Sequence, residues 1–297
     1  PYARYADRVG TPDCPTGYQL DTTAPDITST MRLCYRTIAG GRDEVVKVGT
    51  GASAFWIDRH EASAWSTGPT PTQAPDDGSY PNLPRSGQWL SPTQTTPPYV
   101  AVSRPGVRPS RSLTWFQANE LCHAAGKSLL TREQWFLAVQ GTSDPGGYDG
   151  SDGRCNTQNT GPRNAGLGAR LCRSAWGAQD MIGNLWEWTA EWYANAGAPT
   201  ALPSATGSTP TIMGRRVNEN LRPWPTAGAY GDGMDITSNV ASVVFSGGSD
   251  NTVGVPSAAT RGGGWLDGPP VGAFALSLVH GPSNWDGSIG FRCVVPR

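Results

Sequence analysis

The residues best able to do chemistry gather in the last stretch of the chain, Arg261 to Arg297, which reads RGGGWLDGPPVGAFALSLVHGPSNWDGSIGFRCVVPR. Two acids (Asp267, Asp286), three hydroxyls (Ser277, Ser283, Ser288), an amide (Asn284), an imidazole (His280) and a tryptophan (Trp285) lie between two glycine- and aromatic-rich pieces, Arg261–Trp265 and Ile289–Cys293. Mixed polar groups between rigid pieces suit a binding surface on a fixed frame better than a catalytic site. No GxSxG elbow accompanies the serines, and a Ser-His-Asp trio can be picked from almost any chain. Trp265 and Trp285 are expected beside this face as aromatic anchors for a partner.

The other reactive side chains are sparse. The histidines, His60, His123 and His280, lie far apart and show no HxxxH spacing. Cys14, Cys34, Cys122, Cys155, Cys172 and Cys293 form no CxxC pair, which argues against a zinc ribbon or a thioredoxin-like site. Local pairing suggests Cys14–Cys34 and Cys155–Cys172, leaving Cys122–Cys293. The alternative is six reduced, buried thiols.

Composition limits the partners. Net charge is −1 with no basic stripe, so nothing points to nucleic acid or an anionic membrane. No apolar run approaches the roughly 20 residues that span a bilayer. No signal peptide is visible, and the chain begins at Pro1 rather than Met, so its location is not legible; surface display and a phage particle are both open. A length of 297 residues is enough to bury a substantial core.

The positioning elements can be outlined. Val45–Val48 and Ala54–Asp58 are β-prone, with a turn at Gly49–Gly51. From Pro69 to Pro109 prolines recur and no period survives, which predicts a long surface excursion. A helix is expected over 112–125, with Leu113, Phe116, Ala118, Leu121 and Cys122 at helical spacing and Gly126 at its end. A second is expected to start at Thr131 as N-cap, carry Trp135, Phe136 and Val139 inward, and stop before Gly141. Residues 141–170 read as loop and 193–258 as a second irregular region. Trp186 and Trp188 alternate, as on one face of a core strand. In 273–279, Phe274, Leu276 and Leu278 fall on one strand face, built for the core. Ala275, Ser277 and Val279 fall on the other, which could meet a ligand.

Several pieces resemble the formylglycine-generating-enzyme subtype of the C-type lectin fold: Phe55-Trp56-Ile57-Asp58-Arg59-His60-Glu61, Gly126-Lys127-Ser128-Leu129-Leu130-Thr131-Arg132-Glu133-Gln134-Trp135, and Trp176 through Asp180-Met181-Ile182-Gly183-Asn184-Leu185-Trp186-Glu187-Trp188. Gly263-Gly264-Trp265 and Gly290-Phe291-Arg292 resemble its last two strands. Each piece is weak alone, but their order along the chain is specific. The resemblance implies a single α+β domain over 1–297, with irregular insertions at about 67–110 and 193–258. It also places Cys122 and Cys293 where such folds bond the first helix to the last strand.

Within that superfamily, the end of the chain is similar to the variable proteins of diversity-generating retroelements, in which a reverse transcriptase copies a template with errors at adenines. Gly263-Gly264-Trp265, Gly272-Ala273-Phe274-Ala275-Leu276, Leu278, Pro282-Ser283 and Ile289-Gly290-Phe291-Arg292 match the constant frame. The resemblance implies a variable region at about 261–292. Leu266, Asp267, Ser277, Val279, His280, Asn284, Asp286 and Ser288 are residue types reached from an AAC codon by changing its two adenines. Trp285 is not, and Gly268, Val271 and Gly287 are ambiguous. The implied function is ligand binding, with a macromolecular partner, expected to be a protein, at Leu266, Asp267, Gly268, Val271, Ser277, Val279, His280, Asn284, Trp285, Asp286 and Ser288. A purely structural surface component is a further alternative.

The resemblance also implies structural Ca²⁺ held by Asp180, the Gly183 and Leu185 carbonyls and Glu187, a hard, oxygen-only set. The competing reading is that Asp180 and Glu187 cap backbone or pair with arginine. A second calcium site would fall in the loop from Asn156 to Asn164. Activity of the formylglycine-generating kind would need two nearby cysteines; the aligned positions hold Asp267 and Gly272, which supply no thiolate. An iron-dependent sulfoxide synthase would need clustered histidines. No catalysis and no redox cofactor are therefore expected.

Overall fold

The computed structural model describes residues 14–25, 27–28, 30–74, 99–143, 154–166, 171–194, 211–212, 215–216, 244–245, 256–268, 271–273, 275–277 and 280–296. Phe274, Leu278 and Val279 lie outside these residues.

The N-terminal half builds one sheet from short, β-branched runs: β1 (Gln19–Leu20), β2 (Leu33–Ile38), β3 (Gly41–Val48) and β4 (Phe55–Asp58). A 3-10 turn at Gly51–Ser53 joins the last two. They pair antiparallel in chain order. A hairpin-like pair follows, β5 (Ser63–Ser66) with β6 (Tyr99–Val102). β6 corrects the expected excursion: Tyr-Val-Ala-Val is a wholly buried strand inside the proline-rich stretch. Four apolar residues are too few to show a period, so the surrounding prolines masked it.

Helix α1 (Trp115–Ala124) starts later than expected because Ser112 takes a positive φ and Thr114 makes the cap, in a reciprocal capping box with Gln117. Phe116 consequently points outward at 44% exposure, and Leu113 is buried just ahead of the helix. After β7 (Ser128–Leu129), helix α2 (Arg132–Val139) is capped as expected by Thr131, again in a box, with Gln134.

The second half supplies β8 (Trp186–Ala194), β9 (Thr211–Ile212), β10 (Arg215–Arg216), β11 (Val244–Phe245), β12 (Pro256–Arg261), β13 (Leu276–Ser277), β14 (Ile289–Phe291) and β15 (Cys293–Val295). A five-stranded sheet runs β11-β13-β12-β8-β14, and β15 leaves it to join the first sheet in the order β1-β2-β3-β4-β15-β7. Arg292 is thus the one-residue joint between the two sheets.

Two hydrophobic clusters fill the interior. One packs Leu121, Trp186, Trp188 and Phe291 around the Cys122–Cys293 disulfide. The other packs Ile57, Trp135, Met181 and Ile182 around Cys155–Cys172. With Cys14–Cys34, all six cysteines are bonded as local pairing suggested.

The motifs meet in a buried polar knot. Lys127 Nζ donates to Asp43 Oδ1 (2.6 Å) and Asp58 Oδ1 (2.5 Å), and the Cys293 amide donates to Asp58 Oδ2 (3.0 Å). Charges this deep are tolerated only when paired and hydrogen-bonded, which explains the spacing of these otherwise unrelated sequence pieces. No helix among the described residues is long and apolar enough to cross a membrane.

Candidate ligand-binding face

Strand register builds the floor of a cleft. Thr260 of β12 lies opposite Trp188 of β8 on one side and Ser277 of β13 on the other. Ile289 of β14 lies opposite Trp186. Because side chains alternate, Trp186, Thr260, Ser277 and Ile289 share one sheet face. With Asp267, His280 and Ser288 from the loops above, they line a cleft of about 130 Å³. Four residues expected from the sequence (Asp267, Ser277, His280 and Ser288) therefore converge.

Main-chain bonds hold the loops. The Gly268 amide donates to Thr157 O (2.7 Å), Trp265 N to Asn184 O (3.1 Å), Trp115 N to Pro282 O (3.1 Å), Ser112 N to Asp286 O (3.1 Å), Ala258 N to His280 O (2.9 Å) and Trp186 N to Ser288 O (2.9 Å). Any residue at 280, 286 or 288 can supply the same carbonyls, whereas the positive φ at 268 favours glycine. Side-chain bonds add local detail: Gly264 N donates to Asp267 Oδ2 (2.7 Å), and Ser288 N and Oγ donate to Asp286 Oδ1 (2.7 and 2.5 Å).

Asp267 is the carboxylate among the residues that line the cleft. Burial pushes the Asp267 carboxyl above its usual range and nearby Asp286 adds to this, while the Gly264 amide and the Trp186 indole hold it down. Thr260 Oγ1 and His280 Nδ1 are buried without a hydrogen-bond partner. An unpartnered Nδ1 leaves His280 without the carboxylate that would orient it as a general base, so Ser277, His280 and Asp267 form no triad here.

The remaining expected residues divide by exposure. Leu266 (63%) and Trp285 (47%) stand out into solvent, and Asn284 and Asp286 are half-buried. Val271 belongs to the frame instead: it is buried, and a Cβ on Gly263 would meet its Cβ at 2.3 Å. Gly268 is buried in a positive-φ turn. Trp265 is 7% exposed and cannot serve as an anchor from inside the fold. Val279 lies outside the described residues. Thr260 was not foreseen; only strand register brings it into the cleft, and register across a long connection leaves no trace in sequence.

The four residues suggested for calcium lie elsewhere, and the two carboxylates among them are paired with arginine. Asp180 Oδ1 accepts from Arg163 Nη2 (2.6 Å) and Oδ2 from Gly166 N (3.3 Å). Glu187 Oε1 accepts from Arg292 Nε and Nη2 (3.0 and 2.8 Å), and Oε2 from the Trp135 indole (3.0 Å). Each carboxylate already faces a guanidinium, which would repel a dication. Among the described residues no three acidic, imidazole or thiol groups converge on one point. His60, buried, donates to or accepts from Glu44 (3.3 Å) and sits far in sequence from the other histidines.

Fold and cleft define an α+β domain of the C-type lectin type with a loop-built face at its C-terminal end. Residues 52–297 match the sulfatase-modifying factor enzyme 1-like domain, and the chain belongs to that family. Among solved structures it is similar to PvdO from Pseudomonas aeruginosa (13% identity, 95% of this chain and 99% of that one, TM-score 0.41). It is also similar to the major tropism determinant P3c variant (18%, 92% and 67%, 0.38) and to Treponema denticola variable protein 1 (12%, 84% and 97%, 0.35). Likenesses this distant carry no functional weight. Curated protein sequences give no match.

Proposed function

We propose that this chain is a ligand-binding display protein, not an enzyme, and that the face from Leu266 to Ser288 recognises a protein partner. Its side chains would be exchanged by a retroelement reverse transcriptase. The main-chain anchoring of the loops carries this reading: the peptide groups fix the face, so its side chains are free to differ. Disulfide bonding of every cysteine supports the absence of thiol chemistry. The calcium suggested by family resemblance has no part in this function.

The test is a library randomised at Leu266, Asp267, Ser277, His280, Asn284, Asp286 and Ser288, selected against an immobilised protein such as lysozyme. Most members are expected to melt within about 5 °C of the parent, and some to bind. Uniform collapse, or no binder from a well-folded library, would sink the proposal. Sequencing the neighbouring DNA for a near-copy of codons 261–292 beside a reverse transcriptase tests the diversification step separately.

A further inference from the structure

The cleft beneath the face has a chemistry of its own. Its polar lining holds one carboxylate, Asp267, with groups that can each accept a hydrogen bond, the Thr260, Ser277 and Ser288 hydroxyls and the His280 imidazole. The donors near Asp267, the Gly264 amide and the Trp186 indole, are already directed at its carboxylate. Thr260 is 1% exposed, yet its Oγ1 has no partner. Arg111, a cation that reaches this loop, donates to the Gly287 carbonyl (3.3 Å).

We infer that the cleft is a subsite for a primary ammonium group, the tip of a lysine side chain on the protein partner. This rests on the binding role proposed above and names what the centre of the face selects. A half-buried carboxylate flanked by hydroxyls favours a positive ligand over a neutral or anionic one. The ammonium is compact and offers three donors with no fixed plane. A guanidinium needs a free carboxylate edge for its two parallel bonds, and Asp267 Oδ2 already accepts from Gly264. The apolar stem of a lysine can lie along Trp186 and Ile289 on the cleft floor, with Trp285 standing exposed on the loop that links His280 to Ser288.

The probe is n-butylammonium, titrated into the full chain and followed through the Trp186 indole N–H resonance. n-Butanol and butyrate are the matched neutral and anionic controls. A saturable shift with butylammonium alone is expected, weakened at least about tenfold by Asp267→Asn and several-fold by Thr260→Val. Equal binding of butanol would make the cleft an apolar slot, and binding of butyrate would reverse its sign; either overturns the inference, as does the absence of saturation with butylammonium. Should Asp267→Asn fail to fold, Thr260→Val and Ser277→Ala carry the comparison, and a parental affinity in both overturns it. If the library yields protein binders while butylammonium does not bind, the subsite alone is wrong. If the library yields none either, the binding role falls with it.

Discussion

Arg292 donates through Nε and Nη2 to one oxygen of Glu187, at 3.0 and 2.8 Å, with both side chains sealed from solvent. The same guanidinium donates to the Asp58 carbonyl (2.9 Å) and the Gln179 carbonyl (2.7 Å). It therefore ties β8 of one sheet to the end of β4 in the other at the residue where the chain passes between them.

Substituting Arg292→Lys keeps the charge but not the fork, and strands some of these acceptors. A loss of about 3–5 kcal/mol by chemical denaturation is expected, with a similar loss for Glu187→Gln. Because the arginine already satisfies Glu187, millimolar calcium or EDTA should leave the wild-type melting temperature unchanged. A calcium-dependent rise of several degrees would show that the pairing gives way to the ion.

Gly263 has a φ of +87°, and a Cβ there would lie 2.3 Å from the Val271 Cβ. Gly263→Ala combines backbone strain with a steric clash, so a loss of about 3 kcal/mol or more is expected. Leu266→Ala, at the exposed tip three residues on, should stay within about 0.5 kcal/mol of the parent. Equal effects at the two positions would contradict the division into frame and face.

Acid should weaken the buried network around Glu44. Burial opposes its charge, but the hydrogen bond from His60 and the charges of His60 and Arg59 outweigh this and draw its pKa down from 4.5 to about 2. His60 is itself held below its ordinary value by burial, so Arg59 is the lasting cation, donating to Glu44 Oε2 at 2.9 Å. A carboxyl with a lowered folded pKa stabilises above its unfolded pKa, and that contribution is lost as pH falls through the folded one. Glu44→Gln should cost about 1–3 kcal/mol at pH 7, and its gap from wild type should narrow between pH 4.5 and 2. A constant gap across that window would exclude this linkage.

Asp267 carries the opposite sign. Its pKa is raised from 3.8 chiefly by burial, so ionisation works against the folded state once pH exceeds the unfolded value. Asp267→Asn should raise the melting temperature at pH 7 by about 1–3 °C, and the difference should vanish below the ordinary carboxylate range. A destabilised variant at pH 7 would mean that the acid serves the fold rather than a ligand.

What was legible in sequence is what local chemistry determines. Thr131 with Gln134 announces α2 because a capping box is made within four residues, and the Trp186/Trp188 alternation announces β8. The start of α1 was misplaced because the positive φ of Ser112 has no sequence signature. β6 was hidden among prolines. Of the cleft lining, a resemblance singles out Asp267, Ser277, His280 and Ser288 but not Thr260, and Val271 proves buried against Gly263. Both depend on what lies across a strand or under a turn, which only the assembled sheet reveals. The arginine partners of Asp180 and Glu187 are equally long-range.

The Cys122–Cys293 bond spans 171 residues and joins α1 to β15. The second irregular region and the whole proposed variable face lie inside that covalent ring. A protease that cuts once anywhere between the two cysteines opens the ring but releases nothing: both fragments stay one molecule. A nick in the proposed variable segment would be an injury without an amputation.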